Sequence, residues 1–358
     1  MPGIGLHMIV KNEAHVVERS LRSVLPLIDW WVVSDTGSTD GTQEIVRRVL
    51  GDLPGELIER PWVSFGHNRQ QALDAARALA SAPGDYVLWI DADEVLTDLP
   101  DKLPELTADG YHLPVEFAGV HYSRLGLVRL DRPWTWTGAI HEYLDLPDAV
   151  VGQLDAPRYY VRKEGARSLD PDTYRKDAAV IEAELARTPD DPRLQFYLAQ
   201  SWRDAGDDGR ALAAYLVRAE NQAGWIQETY CARFEAALCM ERLGRAPAEM
   251  IAMHLSAYAL VPNRAEALVQ AARLERQQGR YPIALLYARE AARLPHPGSD
   301  ALFVDSATYT WRALDELAVN CWWAGHKAEG EAAARRALAV HPEDGRLQAN
   351  LAWFTDHP

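Results

Sequence analysis

Cysteine is scarce in this 358-residue chain: Cys231, Cys239 and Cys321 stand alone, with no CxxC spacing. That excludes a disulfide framework and a cysteine zinc site, and leaves three reduced core thiols in Ala-rich, helical-looking sequence. Positive charge is short as well. The 52 Asp+Glu outweigh 37 Lys+Arg, for a formal net charge of −15. This disfavours a general nucleic-acid or anionic-membrane binder. Long apolar runs are missing: no window approaches ~18 uninterrupted apolar residues. Lys11, Asn12 and Glu13 break the first apolar stretch too early for a signal peptide. A cytoplasmic protein without a transmembrane segment is expected. Neither a GxxxxGK[ST] phosphate loop nor a Ser/His/Asp set with recognisable spacing occurs.

The length has room for two domains, and the composition changes partway along. Residues 1–165 mix short apolar runs with Gly, Pro and Asp turns, whereas residues 170–358 are rich in Ala, Leu and Arg. In the first part, Ile4–Val10, Trp30–Asp35, Glu56–Arg60 and Asp85–Ile90 read as strands. Helical spacing follows three of them, at Ala14–Leu25, Gln43–Val49 and Gly66–Leu79, and Asp40 reads as the N-cap of the second helix. Strands alternating with helices predict an α/β fold with a mostly parallel sheet and helices on both faces. Parallel strands would bring four polar ends to one edge: Asn12, Asp35, the loop before Asn68, and Asp91/Asp93.

The last of these is the most informative. In YVLWIDADEVL two carboxylates stand at i and i+2 directly after an apolar strand. Bringing like charges together in a buried setting costs several kcal/mol unless compensated. A hard divalent cation compensates, and Mg²⁺ or Mn²⁺ bound by one or two carboxylates keeps positions open for substrate phosphates. In isolation, such a pair is equally a strand end that caps the next element.

Taken together, MIVKNE, VVSDTGSTDGT, FGHNRQQAL, YVLWIDADEVL and WTWTGAIHEYL resemble family 2 glycosyltransferases of the Rossmann-like GT-A fold, over about residues 4–165. The resemblance implies a nucleotide-diphosphate sugar donor, UDP-linked by default, a divalent metal at the DxD motif, and inversion at the anomeric centre. It implies that Lys11, Asn12, Glu13 and Asp35 line the nucleoside pocket, Asp35 accepting from the base. Asn68 and Arg69 would lie near the nucleotide. Asp91 would reach the ribose or a metal-bound water. Asp93 would ligate the metal, with His141 completing the site. For the base that takes the acceptor proton, Glu142 is the first candidate and Glu116 the second; Glu142 can equally orient His141. Arg129 or Arg132 would add a cation near the diphosphate. Trp134 and Trp136 would either line a sugar site or pack on two sides of a strand.

The second part repeats itself. Two helices with a Gly-containing turn recur at Arg193–Glu220 and again downstream. The inter-helix glycines Gly206, Gly244, Gly279 and Gly325 are spaced by about 38, 35 and 46 positions, which resembles tetratricopeptide (TPR) repeats with insertions. Stacked helix pairs form a superhelix with a concave face. That face suits an extended peptide; a scaffold or homodimerisation arm is the alternative. The expected whole is a metal-dependent glycosyltransferase acting on a protein or peptide acceptor. Its rivals are a cell-envelope or lipid-linked glycan acceptor, and an inactive GT-A binding scaffold. A nucleotidyltransferase would need a basic phosphate loop after the first strand, and KNEAH is not one.

Overall fold

β1 (Ile4–Val10) and β2 (Trp30–Asp35) are buried at every position, as parallel strands covered on both faces must be. They lie at the heart of the computed structural model, which describes residues 2–80, 82, 84–117, 120–298 and 301–356. β1 pairs in parallel with β2 on one side and β4 (Tyr86–Trp89) on the other, and β2 pairs in parallel with β3 (Gly55–Glu59). Leu6, Met8 and Val10 face α1 (Val17–Val24) and α2 (Thr42–Leu50), meeting Val17, Leu21, Val46 and Leu50. The opposite face meets α3 (Phe65–Leu79), where Leu73 and Ala76 pack with Trp30, Val32 and Val87. Each such buried aliphatic side chain contributes about 1.5–3 kcal/mol. Gly5 is required here, because a Cβ on it would sit 2.2 Å from the Trp30 ring.

The sheet is mostly parallel as expected, but beyond β4 it also takes in antiparallel pairings. Short connections replace crossover helices, and β4 pairs antiparallel with β7 (Val120–Arg129), itself antiparallel to β6 (Gly110–Phe117). β11 (Arg158–Val161) and β10 (Val151–Gln153) add to β6 in parallel, and β5 (Glu94–Thr97) closes the row antiparallel to β11. The order is β3-β2-β1-β4-β7-β6-β11-β5, a mixed sheet, with β8 (Thr135–Thr137) and β9 (Tyr143–Asp145) as a separate pair.

The N-cap of α2 is Gly41, with φ 93°, not Asp40. The Asp40 carboxylate instead accepts from the Thr42 amide at 3.1 Å and from Ala14 at 2.9 Å, tying two loops together. The first compact unit runs Met1–Thr173, past the expected boundary at 165. The extra residues belong to it because Gly165 and Ala166 donate backbone N–H to Asp93 and Glu13, and Arg167 lies 4.9 Å over the Phe65 ring.

The second unit, Tyr174–Pro358, is helical. After α4 (Thr173–Leu185), helices pair as α5 (Pro192–Asp204) with α6 (Asp208–Glu220), α7 (Ile226–Arg242) with α8 (Pro247–Leu260), α9 (Glu266–Gln277) with α10 (Tyr281–Arg293), and α11 (Ala313–Ala324) with α12 (Lys327–Val340); α13 (Gly345–Asp356) follows. All four inter-helix glycines have φ between 69° and 79°, a left-handed turn that β-carbons disfavour. Fully buried Ala199, Ala236, Ala271 and Ala288 let the helices approach closely. The long interval before Gly325 comes from the α10–α11 connection, which Arg264 pins by donating to the Leu302 carbonyl at 2.6 Å and to Glu266 at 2.8 Å. Among the described residues no helix is long and apolar enough to cross a membrane.

Candidate active site

The parallel register puts Val10, Asp35 and Glu59 side by side at one sheet edge, and β4 delivers Asp91 and Asp93 to the same edge on the other side of β1. The sequence-level expectation of converging strand ends therefore holds for β1, β2 and β4.

Asp35 is 1% exposed. Its Oδ1 accepts from Gly37 N at 2.9 Å, Ser38 N at 2.8 Å and Gln43 Nε2 at 3.0 Å. Burial pushes its pKa up, but the Ser38 hydroxyl, together with these donors, more than offsets it and the carboxyl is held below its ordinary value. Its Oδ2, equally buried, has no hydrogen-bond partner among the described residues. A buried acceptor without a donor is uncommon and calls for a partner such as a ligand or an ordered water. Asn12, in left-handed backbone at φ 58°, accepts from Thr39 N at 2.9 Å and so closes the loop over this corner. Lys11 is exposed beside it.

At the β4 end carboxylates meet a buried cation. Asp91 is not without a cation: Arg69 Nη2 is 2.5 Å from its Oδ1. Burial raises the Asp91 pKa, and the Arg69 and Arg124 guanidinium groups override that and lower it. The same Arg69 donates through Nε to Glu142 Oε1 at 2.5 Å. Glu142 is therefore tied to a cation, and Arg69 is a group that it orients. Burial still raises its pKa against the pull of Arg69. The Arg69 guanidinium lies 4.8 Å over Trp89 and 5.1 Å over Trp136.

Asp93 and Glu13 form a second pair. Asp93 Oδ2 accepts from Gly165 N at 3.1 Å, and Glu13 accepts from the next amide, Ala166 N, at 3.0 Å. Desolvation and the neighbouring Asp91 charge raise Asp93 to about 6. Desolvation and Asp93 raise Glu13 to about 7, although the Ala166 hydrogen bond opposes this. Carboxylates that repel one another suit a hard cation held by one or two of them together with ligand phosphates. His141 is exposed, at φ 54° in the segment after Gly138. Among the described residues no three His, Cys, Asp or Glu side chains are placed together to hold a metal.

The remaining candidates are placed as follows. The Asn68 amide is engaged with Val63 N at 2.9 Å and Pro61 O at 3.0 Å, so it shapes the loop after β3. Glu116 lies in β6 opposite His121 and Tyr160. Arg129 stands opposite Tyr86, at the other end of β4, and pairs with Asp131 and Asp109; Arg132 also pairs with Asp109. Trp134 and Trp136 are core residues, 2% and 8% exposed.

A second cation joins the site. Arg124 grips the Glu94 carboxylate with both terminal nitrogens and lies 4.1 Å over Trp89 and 4.0 Å over Tyr159. Glu94 in turn accepts from Asp91 N at 3.1 Å. Trp89 thus has contacts with two guanidinium groups that hold the acidic turn from either side. An arginine in an alternating strand gives no local hint of a partner far away in sequence.

Residues 6–136 match the family model described as "Glycosyl transferase family 2", and that stretch contains Asp35, Arg69, Asp91 and Asp93. The first unit carries a family 2 glycosyltransferase domain. This glycosyltransferase domain lies in a chain that is 33% identical over 142 residues to a TPR repeat-containing protein of Synechococcus elongatus, covering 37% of this chain and 33% of that protein. It is 33% identical over 109 residues to an uncharacterized glycosyltransferase of Rickettsia felis, covering 30% of this chain and 35% of that protein. The matches span about a third of those relatives' lengths. Solved structures with likeness to the chain include MamA (residues 41 to end) from Desulfovibrio magneticus RS-1, with TM-score 0.37, 15% identity, and coverage of 46% of this chain and 84% of that one. A tetratricopeptide repeat protein from Parabacteroides merdae gives TM-score 0.40, 17% identity, and coverage of 52% and 68%.

Proposed function

We propose that this chain transfers a sugar, with inversion, from a nucleotide-diphosphate sugar, UDP-linked by default, to an acceptor hydroxyl. The observation that carries the reading is the unpartnered, buried Asp35 Oδ2 across β1 from the Asp91–Asp93 turn in the glycosyltransferase domain. Asp35 accepts an N–H of the base, with Lys11, Asn12 and Glu13 along the same loop. Asn68 keeps the β3–α3 loop in shape. Asp91, fixed by Arg69, is presented to the ribose. Asp93 is the cation ligand, assisted by His141 or Glu13. Mn²⁺ or Mg²⁺, when bound, would stabilise negative charge growing on the leaving diphosphate. Glu142 holds Arg69 in position, so Glu116, which has no ion pair among the described residues, moves ahead of it as the base for the acceptor proton.

The helical unit recruits a protein or peptide acceptor in this reading, and pairing of two copies through it is the alternative use. A glycan acceptor is favoured by one specific feature, the crevice described below. The test is a thermal-shift panel of nucleotide sugars with and without Mn²⁺. A ligand at about 100 times its Kd adds roughly 2.7 kcal/mol. A Mn²⁺-dependent rise with one nucleotide sugar supports the transferase; no rise with any of them favours the inactive scaffold.

A further inference from the structure

Resting on the transferase reading, we infer that a crevice beside Glu142 seats a neutral saccharide, the sugar to which the transferred residue is joined. The crevice has a volume of about 550 Å³, within the range of small-ligand sites. Trp89 and Trp134 form its aromatic wall, and Tyr143, 40% exposed, stands at its rim. Asp145, Asp148 and His112 supply the polar lining. Glu142 and Arg124 also reach it, and both belong to the network that fixes Asp91. The crevice therefore adjoins the edge on which the donor is held.

Its charge selects the ligand. Glu142 is neutralised by Arg69 and Arg124 by Glu94. Among the described residues neither Asp145 nor Asp148 has an ion pair, so the remaining wall is anionic. It repels a phosphate, which excludes the donor's diphosphate as the occupant. Carboxylates accept hydrogen bonds, whereas a phenol and an imidazole both donate and accept. A sugar hydroxyl also does both, so a ring bearing several of them matches this lining, and its C–H face suits the exposed Tyr143 ring. A bare peptide would offer a backbone whose N–H and C=O groups this wall does not match in alternation.

The test uses the full chain. Methyl glycosides of glucose, galactose, mannose and N-acetylglucosamine, and Ser/Thr peptides as controls, are screened by saturation-transfer NMR with the nucleotide sugar from the thermal-shift panel present. One glycoside is expected to bind. Tyr143→Ala and Asp148→Asn should each weaken it about tenfold or more while nucleotide-sugar affinity stays at the parent value. Asn is chosen because Asp148 has φ 61°, which Asn tolerates. Binding of peptides without glycosides, or glycoside affinity unchanged in both variants, overturns the saccharide assignment. If the parent binds and hydrolyses a nucleotide sugar yet binds no glycoside, this inference alone fails. If it binds no nucleotide sugar at all, the transferase reading fails first.

Discussion

Arg69 and Asp91 meet at 2.5 Å, with the arginine side chain only 4% exposed. The same guanidinium holds Glu142, so one buried cation fixes both the acidic turn and the segment bearing His141. Removing one partner of a buried ion pair leaves an uncompensated charge and costs about 3–5 kcal/mol. Arg69→Leu should therefore lower the melting temperature of the first unit by on the order of 10 °C. Glu142→Gln, which keeps a hydrogen-bond acceptor for Arg69, should cost much less. Calorimetry checks the order; equal losses in the two variants would contradict the clamp.

Asp35→Asn separates folding from recognition. The variant can keep a carbonyl oxygen facing Gly37, Ser38 and Gln43, but it places an N–H₂ where Oδ2 was. A hydrogen bond to a charged group contributes about 1.5–3 kcal/mol, so nucleotide affinity should fall roughly 10- to 100-fold with little change in melting temperature. Titration calorimetry with UDP reads this directly. Parent-like affinity would remove Asp35 from the nucleoside pocket.

The carboxylates Glu13 and Asp93 predict a pH dependence. Their folded pKa values, about 7 and about 6, exceed the ordinary 4.5 and 3.8. The folded state binds these protons more tightly than the unfolded chain. Their contribution to stability is thus fully present below about pH 4 and is lost as pH rises toward 7. Glu13→Gln should flatten the fall in melting temperature over that window in metal-free protein. Added Mn²⁺ at pH 7.5 should raise the parent's melting temperature and leave Asp93→Asn unmoved. A Glu13→Gln profile that superimposes on the parent's would falsify the coupling.

Gly66 opens α3 against the segment leading to His141. A Cβ on it would sit 2.1 Å from the Gly138 carbonyl oxygen, and Phe65 N already donates to Ala139 O at 3.1 Å. Gly66→Ala should push that segment off the helix and cut turnover at least tenfold, with a stability loss of about 1–3 kcal/mol from overpacking. Steady-state kinetics together with denaturant melts distinguish displacement of the site from global loss of fold.

A fragment of residues 1–173 should fold and bind nucleotide sugar, whereas one ending at 165 should bind it weakly. The shorter fragment loses Ala166, whose amide holds Glu13, and Arg167, which covers Phe65. Circular dichroism and the thermal-shift panel compare them. Identical donor shifts for both fragments would show that residues 166–173 are dispensable.

Much of this protein was legible one residue at a time. Burial on both faces makes β1 and β2 read as unbroken apolar runs, and polar residues that interrupt such runs mark the edge where a ligand can sit. The helix pairs announce themselves through glycines that take the left-handed turn. These signals are local because periodicity and backbone conformation are local. Asp40 shows the limit even there: its composition suits a cap, but Gly41 can adopt φ 93° and takes the position.

Tertiary structure decided the electrostatics. Arg69, Asp91 and Glu142 come from a helix, a strand end and a loop, and Arg124 reaches Glu94 from another strand. Whether a carboxylate is a free base, a ligand or half of an ion pair depends on which charge lies within a few ångströms in a poorly solvated place. The sequence named Glu142 as a candidate base because it neighbours His141, and folding turned it toward Arg69. The mixed half of the sheet was likewise hidden, since strand direction beyond β4 follows from connection geometry rather than from residue type. Chain periodicity sets the elements; only the packed fold sets which charges meet, because Coulomb energy depends on separation in space and not along the chain.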